Sequence, residues 1–291
     1  MYIWHNGILV KKEEAVISPF DHGFLYGVGL FETFRVYGGH CFLLDDHIER
    51  LNAGLELLEI GKKVTRDEAE GAVKELLSAN GYSDAYIRFN VSAGIGEIGL
   101  RSEPYESPEV LVFSKPLPPA GRLQEKGGKI LSLNRNTPEG RERLKSHHYL
   151  NNLLAWREIR NSPGMEGIFL TREGYIAEGI VSNIFWAKGG ILFTPSLETG
   201  ILSGVTRGFV MELAMKSGIE VREGFYPLDE LLLADEVFFT NSIQEIVACP
   251  RIGDAKFEGM NGHLARYLHG RYAACRESFY TMREIGTEDE K

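Results

Sequence analysis

A glycine-rich run, Ile17 to Leu30 (ISPFDHGFLYGVGL), leads directly into a strand-like one, and that junction constrains the fold most. Phe31 to Tyr37 (FETFRVY) alternates as a strand does, successive side chains taking opposite faces. A dinucleotide-binding loop needs a third glycine and opens a helix. Gly27-Val28-Gly29 offers neither. A Rossmann organisation is ruled out, and Gly38-Gly39 instead turns the chain into a return strand at Cys41 to Leu44.

A chain of 291 residues exceeds one ordinary core, so two domains or one large layered domain are expected. No apolar run is long enough to span a bilayer, and Trp4, His5 and Asn6 interrupt any signal-peptide layout, so no membrane partner and a cytoplasmic location are expected. Cys41, Cys249 and Cys275 are scattered without a CxxC pair. That spacing fits reduced thiols, not a disulfide frame or a metal site. The net charge of −9 and the lack of a Lys/Arg block leave no footprint for a nucleic-acid partner. The acidic end, Glu284 to Lys291, is expected to be a frayed, solvated terminus.

Asn6-Gly7 between apolar runs marks a hairpin over Tyr2 to Val10. Asp46 and Glu49 suggest a capped helix whose buried stripe is Ile48, Leu51, Leu55 and Leu58. His47 and Arg50 share a neighbouring face, read first as surface, with phosphate binding as the functional alternative. Thr65 and Glu68 cap a second helix that ends at Asn80-Gly81. Ala85 to Ala93 and Val110 to Phe113 read as strands around a flexible loop, 94–108. The proline-rich stretch after Lys115 marks a boundary. The expected division is 1–118, a linker at 119–124, and a larger C-terminal domain at 125–291.

Chemistry concentrates in the second half. Lys145 stands at the head of RERLKSHHYLNNLLAWREIR, where Tyr149, Leu150, Leu153, Leu154 and Trp156 predict the buried stripe of a helix. A partly desolvated lysine has a freer amine, as a Schiff-base nucleophile requires. The alternative is a packed stem with its ammonium in water. Glu178 sits among apolar strand residues and must find a partner, either an arginine or a ring nitrogen that gains a proton. Gly204-Val205-Thr206-Arg207 opens a helix whose N-terminal N–H groups suit an anion, and Thr240-Asn241-Ser242 ends a short apolar strand with small polar groups. A final helix is expected over 262–282 with Leu264, Tyr267, Leu268 and Tyr272 as its core edge.

Leu144-Lys145-Ser146…Asn151-Asn152, Glu178-Gly179…Ser182-Asn183 and Gly204-Val205-Thr206-Arg207, in this order and spacing, resemble the fold-type IV pyridoxal-phosphate enzymes of the class IV aminotransferase family. The likeness runs from the Asn6-Gly7 hairpin to Ser242. It implies a two-domain α/β (mixed α+β) fold with pyridoxal 5'-phosphate between the domains, and a homodimer. It further implies Lys145 as the catalytic, cofactor-bearing lysine, Glu178 as partner of the ring nitrogen, and Arg50, Val205, Thr206, Thr240, Asn241 and Ser242 around the phosphate. Leu202 would pack on the ring, Tyr149 would lie near its phenolic oxygen, and Phe31, Arg88 and Arg101 would meet a small-molecule substrate.

Within the family, SPFDHGFLYGVGLFETFR, SAGIGEIGL, RNTPEG and FTNS look like bacterial aminodeoxychorismate lyases, which convert 4-amino-4-deoxychorismate to 4-aminobenzoate and pyruvate for folate biosynthesis. The alternative is an aminotransferase of D- or branched-chain amino acids with a 2-oxo acid acceptor. A carrier or regulatory protein without turnover is a third possibility. Pairing Lys145 with Glu178 argues against it, since storage needs affinity but no protonated ring.

Overall fold

The computed structural model describes residues 1–286. Most of the acidic end expected to fray therefore lies outside the described residues, while Glu284 itself closes a short 3-10 turn, Met282–Glu284. The chain forms two compact units. One comprises Met1–Ala120, Leu144–His148 and Arg276–Thr281; the other comprises Gly121–Arg143, Tyr149–Cys275 and the chain from Met282.

In the first unit, β1 (Tyr2–His5) and β2 (Ile8–Lys11) form the hairpin around Asn6-Gly7, both with positive φ, as such a turn requires. After α1 (His22–Tyr26) come β3 (Gly29–Tyr37), β4 (His40–Cys41), α2 (Leu44–Leu57), α3 (Arg66–Asn80), β5 (Ala85–Ser92) and β6 (Glu109–Pro116). The six strands lie in the order β2-β1-β6-β5-β3-β4, every pair antiparallel. On β5, Ala85, Ile87, Phe89 and Val91 enter the core, whereas Tyr86, Arg88 and Asn90 take the other face. Leu44, Leu51 and Leu55 of α2 and Ala72, Val73 and Leu76 of α3 pack into the same core. Burying each large apolar side chain contributes about 1.5–3 kcal/mol.

Thr65 caps α3 through its hydroxyl and Gly81 ends it in the left-handed region, as the sequence predicts. The start of α2 differs. The expected return strand stops at Cys41, Leu43 turns at φ 54°, and the helix begins at Leu44, so Asp46 falls inside the first turn. The segment after the last helix explains that turn. Leu43 N–H donates to Phe279 O at 3.1 Å and Asp45 N–H to Tyr280 O at 3.0 Å.

The second unit contains β7 (Gln124–Glu125), β8 (Gly127–Ile130), α4 (Leu150–Ile159), β9 (Met165–Leu170), β10 (Ile176–Gly179), β11 (Asn183–Lys188), β12 (Ile191–Pro195), α5 (Val205–Lys216), β13 (Val221–Gly224), α6 (Leu228–Leu232), β14 (Glu236–Asn241), β15 (Glu245–Cys249), β16 (Arg251–Ile252), β17 (Ala255–Lys256) and α7 (His263–Cys275). They build a five-stranded sheet, β10-β9-β8-β16-β17, and a six-stranded one, β13-β12-β11-β14-β15-β7. Ile168, Ile184, Trp186, Val237 and Phe239 belong to one shared core. The last helix ends at Cys275, short of the expected 282, and the chain beyond it bonds instead to Leu43 and Asp45 through Phe279 O and Tyr280 O. Leu264, Leu268 and Tyr272 are buried as expected, but Tyr267 is exposed.

The predicted stripe of α4 is overturned. Tyr149, Leu150, Leu153, Leu154 and Trp156 are exposed, at 44%, 66%, 46%, 41% and 56%. The buried positions are Asn152, Ala155 and Ile159. Asn152 is drawn inward because its amide donates to Ile180 O. The face of Asn152, Ala155 and Ile159 thus packs inward, and the face richest in large apolar side chains is left outside. No helix among the described residues is long and apolar enough to cross a membrane.

Candidate active site

Lys145 is not at a helix entrance. It lies in an extended segment alongside β3, where Phe31 N–H donates to Lys145 O at 2.9 Å and His147 N–H to Gly29 O at 3.0 Å. The half-buried lysine holds its Nζ 4.8 Å from the centre of the Phe31 ring. The Arg88 guanidinium lies 3.5 Å from the centre of that same ring. Three expected residues, Lys145, Phe31 and Arg88, are thus brought together. Arg88 also donates to Asn90 Oδ1 at 3.3 Å, and the His147 Nε2 meets that oxygen at 3.0 Å. Burial, aided by the Arg88 charge, lowers His147 to about 4, so its ring is neutral near pH 7. Glycine is needed at position 29, where a Cβ would sit 2.3 Å from the His147 ring.

Arg50 and His47 are not a surface pair. Both converge on Glu32, a carboxylate that is 2% exposed. Arg50 grips it with a fork, Nε to Oε1 at 2.8 Å and Nη2 to Oε2 at 2.6 Å, and His47 Nδ1 lies 2.7 Å from Oε2. Burial pushes the Glu32 carboxyl upward, but Arg50 and His47 outweigh it and bring it down to about 2. Burial is also the main force lowering His47, against the pull of Glu32, and the Arg50 and Lys145 charges add to it. Sequence reasoning passed over Glu32, although Leu30, Glu32, Phe34 and Val36 share one strand face. An acid in that apolar register was the available signal. Arg101 sits in the loop after β5, its guanidinium bonded to Glu103 O at 3.1 Å and Pro104 O at 2.8 Å.

In the second unit Glu178 lies on β10, only 4% exposed. Arg135 Nε donates to its Oε1 at 2.7 Å, and Arg143 Nε lies 3.8 Å from the same oxygen. Leu202 N–H donates to Oε2 at 3.0 Å, and the Asn183 amide reaches Oε2 at 3.5 Å. Of the two partners the sequence left open, the arginine is present. Leu202 acts here through its backbone. Burial, then repulsion from Arg135, brings Arg143 down to about 10. Arg135 was missed altogether, since it stands 43 residues before the glutamate with no periodic signal.

Asn183 links this carboxylate to the start of α5. Its amide donates to Leu202 O at 3.0 Å. A Cβ on Gly204 would lie 2.0 Å from Asn183 Oδ1, so only glycine fits at the helix N-cap. As a glycine, Gly204 offers α5 no side-chain cap. Its first turn brings Val205 and Thr206, and Thr206 Oγ1 is 3.1 Å from Ser242 Oγ. Thr240 Oγ1 is buried with no hydrogen-bond partner. The N–H groups of a glycine-capped helix start, paired hydroxyls and an orphaned buried hydroxyl suit a phosphate, and a fixed carboxylate suits a protonated ring nitrogen. These residues therefore fit pyridoxal phosphate. Asn241 is committed locally, its Oδ1 accepting from Ile243 N–H at 3.0 Å and Gln244 N–H at 2.8 Å. Tyr149 precedes α4 and is 44% exposed.

Residues 29–252 match the class IV amino-transferase model, and the chain belongs to that family, whose cofactor is pyridoxal phosphate. It is 49% identical over 272 residues, 93% of each chain, to the aminodeoxychorismate lyase of Bacillus subtilis (strain 168). A branched-chain amino acid aminotransferase structure from Escherichia coli superimposes with a TM-score of 0.86 at 30% identity, covering 98% of this chain and 97% of that one. The branched-chain aminotransferase of the thermophilic archaeon Thermoproteus uzoniensis, solved with norvaline, gives a TM-score of 0.84 at 30% identity, covering 99% and 96%.

Proposed function

We propose that the chain is a pyridoxal-phosphate-dependent aminodeoxychorismate lyase, converting 4-amino-4-deoxychorismate to 4-aminobenzoate and pyruvate. The observation that carries this reading is the near full-length likeness to the Bacillus subtilis lyase. When bound, the cofactor supplies an electron sink for a carbon that must lose a proton. Lys145 Nζ would hold the cofactor, and its amine is the group that would remove and return protons. Glu178 would accept a hydrogen bond from the ring nitrogen. The α5 N-terminus, Thr206, Thr240 and Ser242 would hold the phosphate, and Arg50, aimed by Glu32, would add a positive charge. Arg88, fixed by Asn90 and the Phe31 ring, takes a substrate carboxylate.

The test is product analysis. With 4-amino-4-deoxychorismate alone, 4-aminobenzoate and pyruvate should form in equal amounts over many turnovers, with no 2-oxo acid added. An inert aminodeoxychorismate, with D-alanine or L-leucine turned over only when 2-oxoglutarate is supplied, would replace the lyase by the aminotransferase.

A homodimer is part of the proposal, and the apolar outer face of α4 supports it. Exposed Leu150, Leu153, Leu154 and Trp156 make a patch that water disfavours. Light scattering should give twice the chain mass, and Leu153→Glu with Trp156→Glu should halve it; an unchanged mass would remove α4 from the interface. Three buried cysteines held outside any disulfide support a reducing, cytoplasmic setting.

A further inference from the structure

We propose that Arg135 is a positioning residue for the reaction: it holds the Glu178 carboxylate in place for the ring nitrogen and keeps that carboxylate acceptor-only. The inference rests on the function proposed above and concerns a residue to which the family resemblance gave no role.

The guanidinium is buried and held through Nε and Nη1. The Arg135 side chain is 7% exposed and that of Glu178 5%. While Nε holds Glu178 Oε1 at 2.7 Å, Nη1 donates to Asn151 Oδ1 at 2.7 Å and to Asn152 Oδ1 at 3.3 Å. Asn151 is itself tied back, its amide donating to Asn134 O at 3.1 Å. Asn152 is held by its amide bond to Ile180 O. The Arg135 backbone N–H donates to Leu170 O at 2.9 Å, and its guanidinium lies 5.2 Å from the centre of the Phe169 ring. A cation held by this many contacts cannot swing away from the carboxylate.

Both oxygens of Glu178 are engaged, yet the carboxylate is not saturated. Oε1 takes the short bond from Arg135 and faces Arg143 at 3.8 Å. Oε2 takes one good bond, from Leu202 N–H at 3.0 Å, and one long one from Asn183 at 3.5 Å. A carboxylate has about four acceptor positions, so one remains for a further donor.

The same contacts set where the proton resides. A carboxylate and a ring nitrogen in a dry site can share a proton in two ways, as an ion pair or as a neutral acid beside a neutral ring. Burial favours the neutral form. A guanidinium does not give up its proton in a protein. In direct contact with the carboxylate at 2.7 Å, it stabilises the charged carboxylate more than it opposes a charged ring farther off. Arg135 thereby keeps the proton on the ring nitrogen.

Nitrogen-15 NMR of the protein loaded with pyridoxal phosphate labelled at its ring nitrogen tests this. The unaltered protein should give a resonance in the protonated range. In Arg135→Gln it should move toward the unprotonated range, and kcat should fall about ten- to a hundredfold with little change in KM. Arg135→Lys restores the cation but not the fork, so its resonance should lie between the two. A resonance that stays in place in Arg135→Gln overturns the proposal even if activity falls, since lost packing alone would not move the proton. Should that variant fail to fold, Arg135→Lys decides: displacement toward the unprotonated range supports the proposal, and identity with the unaltered protein overturns it. A protein that takes up no pyridoxal phosphate at all refutes the proposed function, and this inference falls with it.

Discussion

Lys145→Ala should abolish product formation, by about 10⁴-fold or more, because one amine is lost as both cofactor anchor and proton carrier. It should do so without unfolding the protein. The segment's hold on β3 runs through the backbone, Lys145 O to Phe31 N–H and His147 N–H to Gly29 O, and alanine keeps both bonds. Borohydride treatment of the loaded protein should fix a label on the peptide that carries Lys145, and the alanine variant should take up none. Circular dichroism and urea midpoints serve as the folding control. A label on a different lysine, or product released at the original rate by the variant, would remove Lys145 from the centre of the site. Arg88 and Phe31 give a further handle, since both touch the same neighbourhood. Arg88→Ala should leave the borohydride label intact and act mainly on substrate binding.

Much of this arrangement was legible in the sequence because it depends on local rules. The Asn6-Gly7 hairpin, the Thr65 cap and the Gly81 stop each follow from the conformation one residue type favours. Glu178 stood out because an acid inside an apolar strand must be accounted for. What stayed hidden depends on distance along the chain. Glu32 and Arg50 are 18 residues apart and Arg135 and Glu178 are 43, so neither ion pair leaves a periodic trace. The α4 stripe failed for another reason. Periodicity reports which residues share a face, not whether that face meets the chain's own core, and here the inward face is Asn152, Ala155 and Ile159. The side chains around Lys145 lie on β3 and β5, not on the helix after it.

Glu32→Ala should be among the most destabilising single changes in the first unit. It removes the carboxylate from a buried set and leaves Arg50, 20% exposed in its side chain, and His47, 2% exposed, facing each other without their anion. Breaking a buried pair from one side costs about 3–5 kcal/mol. The pH dependence has a definite sign. The Glu32 carboxyl is lowered from 4.5 to about 2, so the stability it contributes is fully present above about 4.5 and is lost as pH falls toward 2. Urea midpoints of the unaltered protein should therefore drop through that window. Glu32→Gln keeps the shape but cannot titrate, so its midpoint should start lower at pH 6 and decline less between 4.5 and 2. Cofactor retention gives the functional half of the test, because Arg50 loses the fork that aims it. Parallel acid limbs in the unaltered and glutamine proteins would show that Glu32 is not the titrating group, and unchanged cofactor affinity would separate its structural role from any hold on the phosphate.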